Sequence, residues 1–473
     1  MASAISLKTL LGESEVSKEM YQSGRVHEAI MSYKMNEWEK RRAEGAYNSS
    51  NLAIQALPQP VKCVNGLATV VPGDRLQTFR CRNLDLQDFK THAELGSRSG
   101  SGSSSWGWTD PSSGREFGAI GQADGTAFIE ISKTGRVTYL GRLPQQSVTS
   151  QWREIRTMKN YFIIGSEAQN HGIQIFDARK LLTVTSPRTF STTSDISLFN
   201  GLPVGRAHNV VSLEERNFAI AVGASPRTDK CRSGLIFIDL TNPARPTSPG
   251  CAPGDGYVHD AQCLVYRGPD TRYTGRDICY GYNEDTLTIY DVTNKAAPTI
   301  ISRTPYTGAA YTHQGSVLDV NNQQYLVLDD EYDEEDGVQP AADGFPVTYI
   351  FDIRDLRAPR NTGYYKSTVR SIDHNQYVYN GLSFQSNYGA GLRVLDVSSI
   401  PRDPTGKGIR EVAFFDIFPD DDAQAGGGAV AFTGTWSHYA GFPSGNILIN
   451  TIERGVYIVK NPAVTGQMKG EFA

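Results

Sequence analysis

The sequence predicts an all-β fold, a seven-bladed β-propeller with an N-terminal helical and irregular extension, on three observations. First, a short apolar strand, usually opening on Gly and closing on Asp, recurs seven times along the 473 residues. Second, the composition, with 46 glycines, 23 prolines and 23 tyrosines, suits short strands and tight turns. Third, another apolar strand precedes each copy and a further one follows several. That is the four-stranded unit from which a propeller is built by radial repetition.

In chain order the copies are GTAFIEIS from Gly125, GIQIFDAR from Gly172, GLIFIDLTNPARPT from Gly234, TLTIYDVTNKAAPT from Thr286, TYIFDIRDLRAP from Thr348, GLRVLDVSSIP from Gly391 and GVYIVKNP from Gly455. Strands such as YFIIGS, FAIAVGA and NILINT lie upstream of them, and TIISRT and REVAFFDIF lie downstream. Ring closure falls either to CRNLDLQDFK, starting at Cys81, or to the tail QMKGEFA. Ahead of the repeats, Met31, Met35 and Trp38 recur at i, i+4 and i+7 between Val26 and Ala43, with Gly45 as a stop. The spacing predicts one amphipathic helix, packed on the propeller's side. The run GSRSGSGSSS, Gly96 to Ser105, reads as a flexible loop leading into the first blade. Residues 1–95 are accordingly assigned to the extension and 96–473 to the ring.

The six cysteines fall into close pairs, Cys63 with Cys81, Cys231 with Cys251, and Cys263 with Cys279. Each spacing suits a local disulfide, with Cys263 and Cys279 on neighbouring strands of one hairpin, and none has zinc-finger spacing. Paired cysteines and the sequon Asn48-Ser49-Ser50 point to a secreted or cell-surface glycoprotein. The opening MASAISLKTLLGESE shows no charged-then-apolar leader, so no signal peptide is visible in this chain. A net charge of -5 and a pI near 6.0 leave no basic footprint for nucleic acid. No apolar run approaches the roughly 18 residues a transmembrane helix needs.

Several segments together resemble one known family. SWGWTDPSSGREFGAIGQADGTAFIEIS, SQWREIRTMKNYFIIGSEAQNHGIQIFDARKL, HQGSVLDVNNQQYLVLDDEYDEE and DHNQYVYNGLSFQSNYGAGLRVLDVS are similar to the choice-of-anchor B proteins, relatives of the LVIVD-repeat propellers. The similarity runs from about Cys81 to the end, although LIFIDL and its variants replace the literal LVIVD. The resemblance implies a secreted or surface-attached propeller, and it implies no particular reaction.

Aligned on the inner strand, four consecutive blades carry a histidine at one position: His208, His259, His313 and His374. Trp106, Trp152 and Trp436 hold it in the other three. Side chains at the heads of inner strands converge near the axis. Four imidazoles there would make a nitrogen-rich site for iron, manganese, zinc or copper. Carotenoid-cleaving oxygenases and some pectate lyases with propeller folds offer architectural analogies. The alternative is a structural histidine in each turn, which would be expected in all seven blades rather than in one arc.

Loops between the second and third strands emerge on that same face, and they are polar. They carry Glu167, Glu284, Tyr388, Arg454 and the acidic run LDDEYDEED. Asp329, Asp330 and Glu331 end an apolar strand, where they would orient histidines or bind calcium, whereas Asp333 to Asp336 read as a solvated surface. Arg153, Arg454, the three tryptophans and Tyr388 suit an anionic or saccharide ligand. Asp330, Glu331 and Arg153 are the catalytic candidates. His27, His92, His171 and His438 read as structural. The chain lacks GxSxG, HExxH, a phosphate loop and a dinucleotide fingerprint. Two functions follow as expectations: a metal-dependent enzyme acting on a small or carbohydrate-derived substrate, or a non-catalytic extracellular propeller that binds protein or glycan.

Overall fold

The computed structural model describes residues 15–48 and 57–461. Seven sheets stand around one axis, antiparallel throughout except where the short strand Arg188–Thr189 pairs parallel on the outer edge of blade one. The inner strands are Gly102–Thr109, Ile155–Met158, Asn209–Leu213, Asp260–Val265, Thr312–Val317, Asn375–Tyr379 and Thr435–Tyr439. Each contacts the next around the ring, and Thr435–Tyr439 meets Gly102–Thr109 to complete it. The seven recurring motifs are the third strands of the blades, from Gly125–Ile131 in blade one to Gly455–Lys460 in blade seven.

The ring is closed by Asp85–Thr91, which pairs antiparallel with Gly455–Lys460 as the outer strand of blade seven. Its Leu86 and Phe89 are fully buried in the core between blades six and seven, with Phe79, Phe415 and Tyr457. This was one of the two closures the sequence allowed; the tail QMKGEFA lies outside the described residues. Thr78–Arg82 and Leu67–Thr69 add two further strands to blade six, so the ring draws on residues well ahead of position 96.

The three disulfides pair as expected, Cys63–Cys81, Cys231–Cys251 and Cys263–Cys279. The last joins directly opposed residues of neighbouring strands. Asn48 of the sequon is exposed, and Ser49 and Ser50 lie outside the described residues.

Two expectations are corrected. The second half of the Gly96–Ser105 run is not a loop, since Gly102–Thr109 is the inner strand of blade one and Ser103, Ser104 and Ser105 are fully buried. Crowding near the axis explains its composition. A Cβ at Gly102 would lie 2.3 Å from the His92 ring and from the Thr451 carbonyl, and one at Gly107 would lie 2.2 Å from the Tyr439 ring. The N-terminal helix does form, as α1 (Glu15–Ser23) and α2 (Arg25–Ala43), but it does not pack on the propeller's side. It lies across the axial face.

Candidate metal centre

Helix α2 buries Val26, Ile30, Lys34 and Trp38. Met31 is only partly buried and Met35 is 36% exposed, so of the predicted stripe only Trp38 is buried, and Ile30 and Lys34 face inward in place of the two methionines. The reason is that the surface it meets is polar. The Tyr21 hydroxyl donates to the Ala310 carbonyl (2.6 Å), and His27 Nδ1 and the Tyr311 hydroxyl share a hydrogen bond (2.6 Å). Trp38 Nε1 donates to the Phe432 carbonyl at 2.8 Å, and its ring lies 5.3 Å from that of Trp152 and 5.9 Å from that of Trp436. Arg41 pairs with Glu453 at 3.3 Å and Arg42 Nη1 donates to the Ser99 carbonyl at 2.7 Å. The helix thereby spans the mouth from blade five to blade one.

Beneath it the four predicted imidazoles stand side by side. Ring centroids are 4.1 Å apart for His208 and His259, 4.2 Å for His259 and His313, and 4.4 Å for His313 and His374. Each Nδ1 is engaged by an acceptor on the outer side. Glu167 Oε1 accepts from His208 (2.5 Å), the His313 carbonyl from His259 (3.1 Å), Asp329 Oδ1 from His313 (3.3 Å) and the Trp436 carbonyl from His374 (2.6 Å). A carbonyl can only accept, so His259 carries its proton on Nδ1 and its lone pair is left on Nε2, while His374 Nδ1 meets Asn375 Nδ2 (2.9 Å) as well as the Trp436 carbonyl. Such outer acceptors fix the tautomer and ring orientation of a metal-ligating histidine.

Glu331 completes the cluster. Its carboxylate is 3.7 Å from His313 Nε2 and 3.5 Å from His374 Nε2, accepts from the Tyr388 hydroxyl, and pairs with Lys34 Nζ at 2.5 Å. His259, His313 and Glu331 each present a donor atom within 4.8 Å of the other two. The enclosed cavity, about 10 Å³, is lined by the four histidines with Lys34, Glu331, Trp152, Glu154 and Trp436 among others. That is room for about one water molecule or ion.

Burial sets the charges. Desolvation holds His259 and His313 well below the usual imidazole range and brings His374 down to about 4, so these rings are neutral at neutral pH. Burial also works to raise Glu331, but Lys34, His313 and His374 outweigh it and bring the carboxyl to about 2. Desolvation lowers Lys34 against the pull of Glu331.

The other predicted site residues separate. Trp152, Trp436 and Tyr388 do border the cluster, and the two indoles pack against Trp38. Trp106 does not. It sits deeper, where its Nε1 donates to Thr157 Oγ1 and its ring packs on Arg156, Tyr377 and Tyr439. Blade one runs one level lower than the alignment assumed, with the Ser105 amide donating to Ser437 Oγ beside Trp436.

Arg153 is fully buried between blades, donating to the Gln122 carbonyl and meeting His171 Nε2, and is unavailable as a catalytic group. Asp330 faces away from the axis, accepting from the amides of Ala310, Tyr311 and Tyr332 and from the Tyr306 hydroxyl. It is a turn-fixing residue, not a base. Asp329 faces His313, Gln314 and Gln376, so Asp329, Asp330 and Glu331 diverge and do not form a calcium cage. Arg454 pairs with Asp420 and stacks on Phe418. Glu167 is a partner of His208 and Arg206, and Glu284 is held by both terminal nitrogens of Arg227. Glu284 also borders a cleft of about 360 Å³ beside α1, lined by Tyr21, Arg227 and Tyr257.

Sequence reasoning missed Lys34 and Glu154. Lys34 reads as a solvent-facing charge on an amphipathic helix and gave no signal. Glu154, two residues after Trp152, was within reach of the blade alignment; it accepts from Trp436 Nε1 at 2.9 Å.

No family model matches the chain. No curated protein matches it either. Among solved structures, the chain is similar to the β-propeller domain of Cps50 (Swd1) from Myceliophteria thermophila. The two are 10% identical, the match covers 73% of this chain and 93% of that one, and the TM-score is 0.43.

Proposed function

We propose that this protein is an extracytoplasmic metalloprotein whose axial cluster of His208, His259, His313, His374 and Glu331 holds one first-row transition metal ion beneath the N-terminal helix. One observation carries the reading. All four imidazoles are engaged at Nδ1 from outside while their rings border one ion-sized cavity. Imidazole and carboxylate donors of this kind suit iron, manganese, zinc or copper. Three disulfides with no free cysteine among the described residues, together with the choice-of-anchor B resemblance, support an oxidising compartment.

Catalysis on a small or carbohydrate-derived substrate fits this site only when α2 leaves the mouth, because Lys34 and Trp38 occupy the approach. Trp152, Trp436 and Tyr388 would then be the surfaces such a substrate meets. A second reading, a non-catalytic binding propeller, is favoured by the Lys34–Glu331 pair, which neutralises the carboxylate without any metal. Elemental analysis after reconstitution with each metal separates the two. Near-stoichiometric metal in the wild type, lost in His259→Ala and His313→Ala proteins that still fold, is the expected result. Less than about 0.1 equivalent of every metal would overturn the metal reading.

A further inference from the structure

A second cluster, built from other side chains, flanks the axial one. Asp333 and Glu334 open the short helical turn Asp333–Asp336, and Asp373 precedes the inner strand of blade six. The acidic loop was expected to be solvated, yet Asp333 is 1%, Glu334 4% and Asp373 2% exposed. One carboxylate oxygen from each lies within 4.8 Å of the other two. Asp333 Oδ2 accepts from the Tyr349 hydroxyl at 2.7 Å. Both oxygens of Asp373 have no hydrogen-bond partner, while Asp333 Oδ1 and the Glu334 carboxyl meet only each other and the Glu334 amide. No Lys, Arg or His makes an ion pair with any of the three among the described residues.

Buried carboxylates are ordinarily paired, hydrogen-bonded or metal-bound, because an uncompensated charge in a low-dielectric interior costs several kcal/mol. A proton shared between Asp333 and Glu334 would satisfy that pair, but it leaves both buried oxygens of Asp373 without a donor. We infer that Asp333, Glu334 and Asp373 form a binding site for a calcium ion. Three carboxylates offer up to six hard oxygen donors at a site that excludes solvent. Calcium accepts six to eight such ligands in flexible geometry, whereas magnesium gives up its water reluctantly.

The ion would tie the turn that follows Glu331 to the strand head that carries His374. It would thus brace two members of the axial cluster from outside, but the inference does not depend on a metal at the axis. Imidazoles are poor calcium ligands, so the two sites are separable by the ion used.

The test is calcium titration of chelator-treated full-length protein, followed by calorimetry and by terbium luminescence with calcium competition. The expected result is one saturable calcium per chain and a raised Tm on calcium addition. Both should be lost in Asp373→Asn and in Glu334→Gln, and both retained in His259→Ala. Absence of saturable calcium binding by the wild type would overturn the inference. So would undiminished binding by both amide variants. Should either variant fail to fold, the wild-type titration still decides.

Discussion

Lys34 Nζ lies 2.5 Å from Glu331, with side chains only 2% and 1% exposed, in a cavity bordered by four imidazoles. The ammonium therefore sits beside the donor atoms a metal cation would use. A Lys34→Met variant removes that competing charge and leaves Glu331 uncompensated. In metal-free protein the expected cost is about 3–5 kcal/mol, since breaking a buried pair strands the remaining charge. Added zinc or manganese should recover most of the loss and bind more tightly than to wild type. Denaturant melts of both proteins with and without metal check this; equal metal affinity in the two would show that Lys34 does not compete.

Trp38 anchors α2 to the mouth through its bond to Phe432 and its packing on Trp152 and Trp436. Truncation to alanine should cost about 3–5 kcal/mol of local stability. The strands of each blade make their own ladders without α2. Hydrogen exchange should therefore show α2 amides losing protection in Trp38→Ala while strands of blades three to five keep theirs. Uniform loss of protection across the ring would mean that the helix is an integral part of the fold rather than a cover.

The repeat that gave the blade count was legible because third strands such as LIFID and TYIFD are buried on both faces and read as continuous apolar runs. The histidine arc was legible for a related reason, as each of four consecutive blades places its histidine at the head of the inner strand, even where a bulge at His313 interrupts the pairing in blade five. What escaped the sequence was polar burial. Lys34, Asp333 and Glu334 face inward, yet hydrophobic periodicity assigns such residues to solvent, which is how Met31 and Met35 were expected inward in place of Ile30 and Lys34. The Ser103–Ser105 strand escaped because its residues were selected for small size near the axis, a composition shared with flexible linkers.

Acid sensitivity of the metal-free protein should have a component from His438. Desolvation first, then the charge of Arg156, brings this imidazole from 6.5 to about 3, and only Nδ1 has a partner, Ser386 Oγ at 2.8 Å. Its ring also meets Tyr377 and Phe384, which carry no charge at these pH values. The fold holds the ring neutral while the unfolded chain takes up the proton. Its contribution is therefore complete above 6.5 and is lost as pH falls from 6.5 toward 3, to a total of roughly 5 kcal/mol. Stability measured at pH 7, 5.5 and 4 should fall less steeply in His438→Gln than in wild type. Parallel slopes would assign the acid loss elsewhere.

Closure of the ring by Asp85–Thr91 buries Phe89 fully against Tyr457, with ring centroids 4.5 Å apart. Among the described residues no other strand joins residues so early in the chain to the last blade, so this contact bears on the whole ring rather than on one sheet. Phe89→Ala should cost about 3–5 kcal/mol from the lost burial and the cavity left behind. It should also lower Tm for all blades together, because an open propeller exposes the edge of blade seven and the flank of blade one. A matched truncation at Phe237, buried in the core of blades three and four, controls for the loss of aromatic volume. Blade-seven amides should exchange before those of the other blades in Phe89→Ala but not in Phe237→Ala. The same exchange pattern in both variants would show that closure does not depend on Phe89.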